Sequence, residues 1–255
     1  MKIGLIGAEK QEVELLFSAL SGVIQVKKKA SLEFHEGFLY GVPVVVVCCG
    51  IGKVNAALCA QILISEFNVT SIINTGSAGG LDSRLAVLDM VVSTDAVQHD
   101  FDTTAFGYLP GQIPGTDSPF FIADPELRSR AVESFARVSS RFLQESSEKD
   151  TNNTKKNVPK MISGRIASGD AFISQTNKRQ TIIDSFAPSC VEMEGAAVAQ
   201  VCSLHKVPFL ILRSISDLAG SDAGMSYTDF SRAASLRSAA VVEDIVAHMG
   251  KGETK

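Results

Sequence analysis

The feature that most restricts the fold of this chain is the regular exchange of short apolar runs with segments of helical period. "KIGLIGA" (residues 2–8), "SIINTG" (71–76), "DMVVSTDAVQHD" (89–100), "SGRIASGD" (163–170) and "VPFLILRSISD" (207–217) read as strands. Several are almost continuously apolar, as strands covered on both faces must be. Between them lie helical patterns: "EVELLFSAL" (12–20), "GKVNAALCAQILISEF" (52–67), "ESFARVSSRFLQ" (133–144) and a long closing helix at 228–249. "SLEFHEGFLYGVPVVVVCCG" (31–50) reads as a hairpin, with Phe34, Gly37, Gly41 and Pro43 punctuating its two strands. Alternation of this kind predicts an α/β layered fold with a largely buried sheet. Residues 144–160, "QESSEKDTNNTKKNVPK", are polar and without period, and are expected to be a surface loop inserted in a single domain spanning 1–250.

Composition narrows the partners. The chain has 255 residues, 45% hydrophobic and 20% charged, enough for a full core. A formal net charge of -4 with only two short basic runs argues against nucleic-acid binding. The longest apolar run, residues 42–52, is too short to span a bilayer. The N-terminus moves from an apolar strand straight into charged residues, without the pattern of a signal peptide, so a cytoplasmic protein is expected. Five cysteines, Cys48, Cys49, Cys59, Cys190 and Cys202, form no CxxC pair, which suits buried thiols in a reducing compartment. No residue constellation implies a metal or an organic cofactor.

Three stretches invite chemistry. "GLIGAE" after the first strand lacks the dinucleotide fingerprint, and "CGIGKVNAA" lacks the spacing of a P-loop. "INTGSAGGL" (73–81) carries a buried strand into a turn of small residues whose N–H groups and Ser77 hydroxyl suit a polar ligand. "SCVEMEGAAVAQVC" (189–202) sets Glu192 and Glu194 in an otherwise apolar segment, where burying a charge costs several kcal/mol unless it is compensated. Two readings stand: acids at a helix N-terminus, or fixed negative charge beside a cation that forms during a reaction.

Seven ordered motifs carry a resemblance over residues 1–250: "MKIGLIGAEKQEVELL", "GIGKVNAA", "INTGSAGGL", "HDFDTTAFGYLPGQIPG", "SGDAFI", "VEMEGAAVAQVC" and "LRSISDLAG". Their order resembles that of the 5′-methylthioadenosine/S-adenosylhomocysteine nucleosidases, of the nucleoside phosphorylase superfamily. The resemblance implies a three-layer αβα fold around a mixed sheet, and hydrolysis of an adenine–ribose bond through an oxocarbenium-like transition state. The base must be protonated, the cation stabilised and a water activated. By resemblance Asp217 is the acid at the adenine, supported by Ser216, and Glu12 is the base for water. Glu194 would accept bonds from the ribose hydroxyls with Met193 against the sugar, while Glu192 orients the water or supports the segment. Phe172 and the backbone near Ile173 would hold the base, Ser77 the ribose or the water, and Ile51 and Tyr227 would complete the site. The family also implies a homodimer whose loop 99–115 carries Phe106 and Pro114 to the neighbouring site.

The chain departs from the family at Glu9, Thr103 and Tyr227, where Met, Val and Phe are usual near the 5′-thio group, so the tail preference is open. A phosphorylase would carry an arginine where Asn74 stands, and Glu9 and Glu12 would repel phosphate, which favours water as the nucleophile. The alternatives are such a phosphorylase, an aminodeoxyfutalosine nucleosidase, and a non-catalytic nucleoside-binding protein lacking one of Glu12, Glu194 and Asp217.

Overall fold

Valine and isoleucine alternate between two cores in the first strands of the chain, and this places everything else. In the computed structural model, which describes residues 1–149, 159–220 and 223–249, Ile3, Leu5, Val44 and Val46 point into one buried cluster. Ile6, Val45 and Val47 point into another on the opposite face. A strand turns successive side chains to opposite faces, so an all-apolar run means that helices cover both sides.

The strands are β1 (Ile3–Gly7), β2 (Ser21–Lys29), β3 (Leu32–Leu39), β4 (Val42–Cys48), β5 (Ser71–Gly80), β6 (Met90–Gln98), β7 (Phe121–Ile122), β8 (Met161–Ser168), β9 (Cys190–Glu192) and β10 (Phe209–Asp217). The helices are α1 (Lys10–Ala19), α2 (Lys53–Phe67), α3 (Pro125–Lys149), α4 (Thr176–Phe186), α5 (Gly195–His205) and α6 (Ala223–Met249). The sheet runs β10-β6-β8-β9-β5-β1-β4-β3-β2, with β7 on β6 and a further pairing of β10 with β5. That last pairing joins β5, β9, β8, β6 and β10 into a closed ring, from which β1, β4, β3 and β2 extend as an open wing. The sheet is mixed: β1 is parallel to both β4 and β5, whereas β10 meets β6 antiparallel. Helices α2 and α5 pack together on one face, and α1 and α3 pack on α6 on the other. The chain thus has the α/β/α layering and mixed sheet that its motifs imply.

The hairpin of β3 and β4 turns at Tyr40 and Gly41, with φ of 52° and 81°, as a two-residue turn matched to strand twist requires. Gly37 and Pro43 lie inside the strands and do not end them. Strands β2, β7 and β9 and helix α4 have no counterpart in the sequence reading. Strand β2 carries the "VKKKA" run at the sheet edge, where Lys27, Lys28 and Lys29 pair with Glu36, Glu33 and Glu66; such charges keep an edge from pairing with other chains. Helix α4 packs Ile182 and Phe186 against Val97, Ala167 and Val191. The expected loop at 144–160 is also revised: residues 144–149 continue α3, and 150–158 lie outside the described residues.

Candidate active site

Strands β1, β5 and β10 run parallel, and their carboxyl ends open on one cavity of about 470 Å³, the usual place for a site in such sheets. Ala8, Glu9 and Glu12 reach it from the β1–α1 turn, Ser77 and Gly79 from β5, and Ser216 and Asp217 from the end of β10. Glu192, Met193 and Glu194 come from the β9–α5 corner, Ile51 from the turn before α2, Phe172 from the β8–α4 loop and Tyr227 from α6. Ile173 lines a narrow slot beside it, with Phe172, Gly79, Met193 and Asp217.

Glu12 is buried, yet both oxygens are held. Oε2 accepts the N–H groups of Ala8 at 2.7 Å and Glu9 at 3.1 Å, and Oε1 accepts the N–H of Ser77 at 3.0 Å. Burial raises its pKa above the ordinary 4.5, against the opposing pull of Arg213 and these backbone donors. Gly76 is required here: a Cβ on it would stand 2.5 Å from Glu12 Oε1.

Asp217 is set by an irregularity. The pairing of β10 with β5 slips between Ile215 and Asp217, a bulge that re-aims the last side chain of the strand. Its Oδ1 accepts the N–H of Ala219 at 2.8 Å and its Oδ2 the hydroxyl of Ser216 at 2.9 Å. Burial raises its pKa, opposed by those two donors. Gly79 leaves the room: a Cβ there would lie 3.0 Å from Asp217 Oδ1.

The two acids of the β9–α5 corner divide the work. Glu192 accepts the N–H of Glu194 at 3.1 Å and of Gly195 at 2.8 Å, the hydroxyl of Ser168, and the guanidinium of Arg213. It closes the amino end of α5 and anchors the corner. Glu194, the residue before that helix, accepts the N–H of Gly52 at 2.8 Å. Burial and the neighbouring Glu192 push its pKa up to about 8, despite Arg213 and Gly52. The adjacent N–H, that of Lys53, goes to Asp170 at 2.8 Å, so the start of α2 ties Glu194 to the loop that carries Phe172.

The residue missing from the sequence reading is Arg213. It is 2% exposed on β10, donates to Asn74 Oδ1 at 2.6 Å and to the Asn74 carbonyl at 3.2 Å, and pairs with Glu192. Burial opposes its charge, and the carboxylates of Glu192, Glu12 and Glu194 outweigh that, so its pKa is raised. An arginine inside "LILRSIS" was the available signal. Thr103, Phe106 and Pro114 do not line the cavity of their own chain. Phe106 is 81% exposed in a short 3₁₀ turn, Thr104–Phe106, and Thr103 donates to the Gln112 carbonyl at 3.1 Å.

Carboxylates at separate corners of one pocket, with an aromatic and a narrow slot between, define a site for a polar ring system and a sugar-sized group. Comparison with known proteins agrees. The model of the Phosphorylase superfamily matches residues 2–247. The 5′-methylthioadenosine/S-adenosylhomocysteine nucleosidase of Treponema pallidum is 45% identical over 244 residues, covering 94% of this chain and 90% of the relative. A nucleosidase of the same name from Colwellia psychrerythraea, solved in complex with adenine, superposes with a TM-score of 0.86 at 36% identity, over 96% of this chain and 94% of that one. The futalosine hydrolase of Helicobacter pylori, solved as a mutant, gives 0.85 at 30% identity, over 97% and 99%. The chain belongs to the 5′-methylthioadenosine/S-adenosylhomocysteine nucleosidase family of the phosphorylase superfamily.

Two outcomes follow. Breaking a buried pair strands one charge, so Arg213→Met should cost roughly 3–5 kcal/mol in denaturant unfolding, and adding Glu192→Gln should recover part of it. A pair contributing nothing would leave single and double variants alike. For Glu194, the folded state holds the proton more tightly than the unfolded chain, whose value is near 4.5. Stability is therefore greatest below that value and falls as pH rises toward 8, by at most about 1.4 kcal/mol per pH unit. Unfolding curves of Glu194→Gln between pH 5 and 8 should show a flatter decline than those of the unsubstituted protein.

Proposed function

We propose that this chain hydrolyses the N-glycosidic bond of 5′-methylthioadenosine and S-adenosylhomocysteine, and of related 5′-deoxyadenosines, releasing adenine and the 5′-substituted ribose. The observation that carries the reading is the placement of Glu12. Successive backbone N–H groups at a helix start form a natural cradle for phosphate. Here the N–H groups of Ala8, Glu9 and Ser77 are engaged by the protein's own carboxylate. The buried Arg213 guanidinium is engaged by Glu192 and Asn74. Inorganic phosphate would meet a carboxylate where it needs donors, whereas water meets a base.

In this reading Glu12 takes the proton of the attacking water, with the Ser77 hydroxyl, 3.4 Å from Glu12 Oε1, helping to place it. Asp217, whose raised pKa keeps a proton available nearer neutral pH, supplies it to the imidazole side of the departing adenine. Phe172 and the slot at Ile173 receive the planar base. Glu194 accepts the ribose hydroxyls, Met193 packs on the sugar, and the carboxyl of Glu194 lies beside the cation as it forms. Ser216 orients Asp217 through its hydroxyl, Ile51 closes the apolar side and Glu192 acts through the corner it anchors.

The test is adenine release from methylthioadenosine with and without phosphate, with the sugar product identified. Hydrolysis predicts free methylthioribose and no phosphate dependence; a sugar 1-phosphate would sink the reading. Glu12→Gln and Asp217→Asn should each lower kcat by about 10²–10⁴-fold while nucleoside still binds. Near-normal kcat in either would remove that residue from its role.

We also propose a cytoplasmic homodimer that takes part in methionine salvage. Five free cysteines suit a reducing compartment. Phe106 and Leu109 on loop 99–115, and Ile51 and Val54 at the start of α2, are exposed apolar side chains that a second copy would cover. The partner's Phe106 and Pro114 would then wall the 5′ end of the pocket. Phe106→Ala should raise KM more for apolar-tailed substrates than for adenosine; sedimentation of a fully active monomer at assay concentration would end this idea.

A further inference from the structure

Glu9 lies on the border of the active-site cavity. Glu9 also lines a second cavity of about 790 Å³, bordered by Lys10, Gln11, Glu14, His35 and Arg232. Glu9 therefore stands between the active-site cavity and a charged groove. Its carboxylate is oriented: Oε2 accepts the Tyr227 hydroxyl and, at 3.3 Å, the amide of Gln11. Tyr227 in turn stands edge-on to Phe172, with ring centroids 5.7 Å apart, so the acid is tied to the aromatic of the base site.

The groove carries a matching cation. Arg232 is paired with Glu14 at 3.1 Å, and Glu33 with Lys28 at 2.8 Å. Lys10, one residue beyond Glu9, has no carboxylate partner among the described residues. A carboxylate held only by neutral donors and an ammonium without a carboxylate, on neighbouring positions, form a site for a ligand bearing both opposite charges. A methylthio group is uncharged and would leave both unmatched.

We propose that Glu9 and Lys10 form a subsite for the α-amino-acid end of the substrate tail, Glu9 taking the ammonium and Lys10 the carboxylate, so that this enzyme is selective for zwitterionic tails over the methylthio group. Tyr227 is the positioning residue, holding Glu9 by its hydroxyl. The inference rests on the nucleosidase reading above. It makes S-adenosylhomocysteine the better substrate of the two.

The experiment compares kcat/KM for S-adenosylhomocysteine, for its analogue lacking the α-amino group, and for methylthioadenosine. Glu9→Gln keeps the size of the side chain and its bond from Tyr227 while removing the charge. In the unsubstituted protein S-adenosylhomocysteine should exceed the deaminated analogue by about fivefold or more, the worth of a partly exposed charged hydrogen bond. Glu9→Gln should abolish that difference, and Lys10→Gln should lower the ratio of S-adenosylhomocysteine to methylthioadenosine without restoring the deaminated analogue. Tyr227→Phe should blunt the discrimination, seen as a change in the KM ratio and not in kcat alone. Ratios that stay the same in both Glu9→Gln and Lys10→Gln overturn the subsite while leaving the nucleosidase reading intact. A protein that cleaves none of the three nucleosides refutes that reading and the subsite with it.

Discussion

The buried pair of Arg213 and Glu192 is the interaction on which the site depends. Arg213 projects from the middle of a fully buried strand and is held by Asn74 of β5 and Glu192 of β9. It therefore joins the two strands that flank the mouth of the cavity. Ions in such a place stabilise only when every lone pair and proton is answered. Glu192 meets that condition with Ser168, two backbone N–H groups and the guanidinium. Arg213 falls short by one atom, since its Nε has no partner. What the pair supplies is a fixed corner: with Glu192 bound on every side, the backbone of Met193 and Glu194 has one path into the pocket.

The same positive charge makes the remaining acids tolerable. Glu12 and Glu194 are both buried, both feel Arg213, and both keep raised pKa values because burial exceeds its pull. The proton that burial holds on Glu194 up to about pH 8 spares the empty pocket part of its negative charge. On the proposed reaction a neutral nucleoside binds, and a positive charge beside these acids appears only as the glycosidic bond breaks, which is when their charged forms are most favoured. The opening puzzle of two acids in "VEMEG" thus resolves into both of its readings. Both acids line the cavity, but Glu192 is the one that closes the helix and pairs with Arg213, and Glu194 is the one left without a charged partner.

Glycine placement shows how little room the arrangement has. Gly76 and Gly79 on β5 admit Glu12 and Asp217 from opposite sides of one strand end. Side chains there would push aside the two groups proposed as base and acid. The small residues of "NTGSAGG" are accordingly explained by clearance and by the Ser77 N–H, and not by an anion held in the turn.

Much of this was legible in the chain itself. Continuous apolar strands between helical periods required a sheet covered on both faces, and ordered motifs located Glu12, Ser77, Phe172, Glu194 and Asp217, all of which the fold brings to one cavity. Local pattern could not show β2, whose lysines carry no alternation and which forms on the backbone ladder of β3, with Glu33, Glu36 and Glu66 answering its charges. It could not end α3, whose polar final turns look like loop when neighbours are ignored. Nor could it assign Arg213, because an arginine in an apolar run is an anomaly until its partners, 139 and 21 residues away in sequence, are known. The sequence by itself determined which elements form and which side chains are chemically able, since those follow from period and residue type. Tertiary structure alone decided which of two neighbouring acids is paired with an arginine, that Glu9 stands between the cavity and a charged groove, and that Phe106 does not line its own site, because each depends on contacts between residues far apart in the chain.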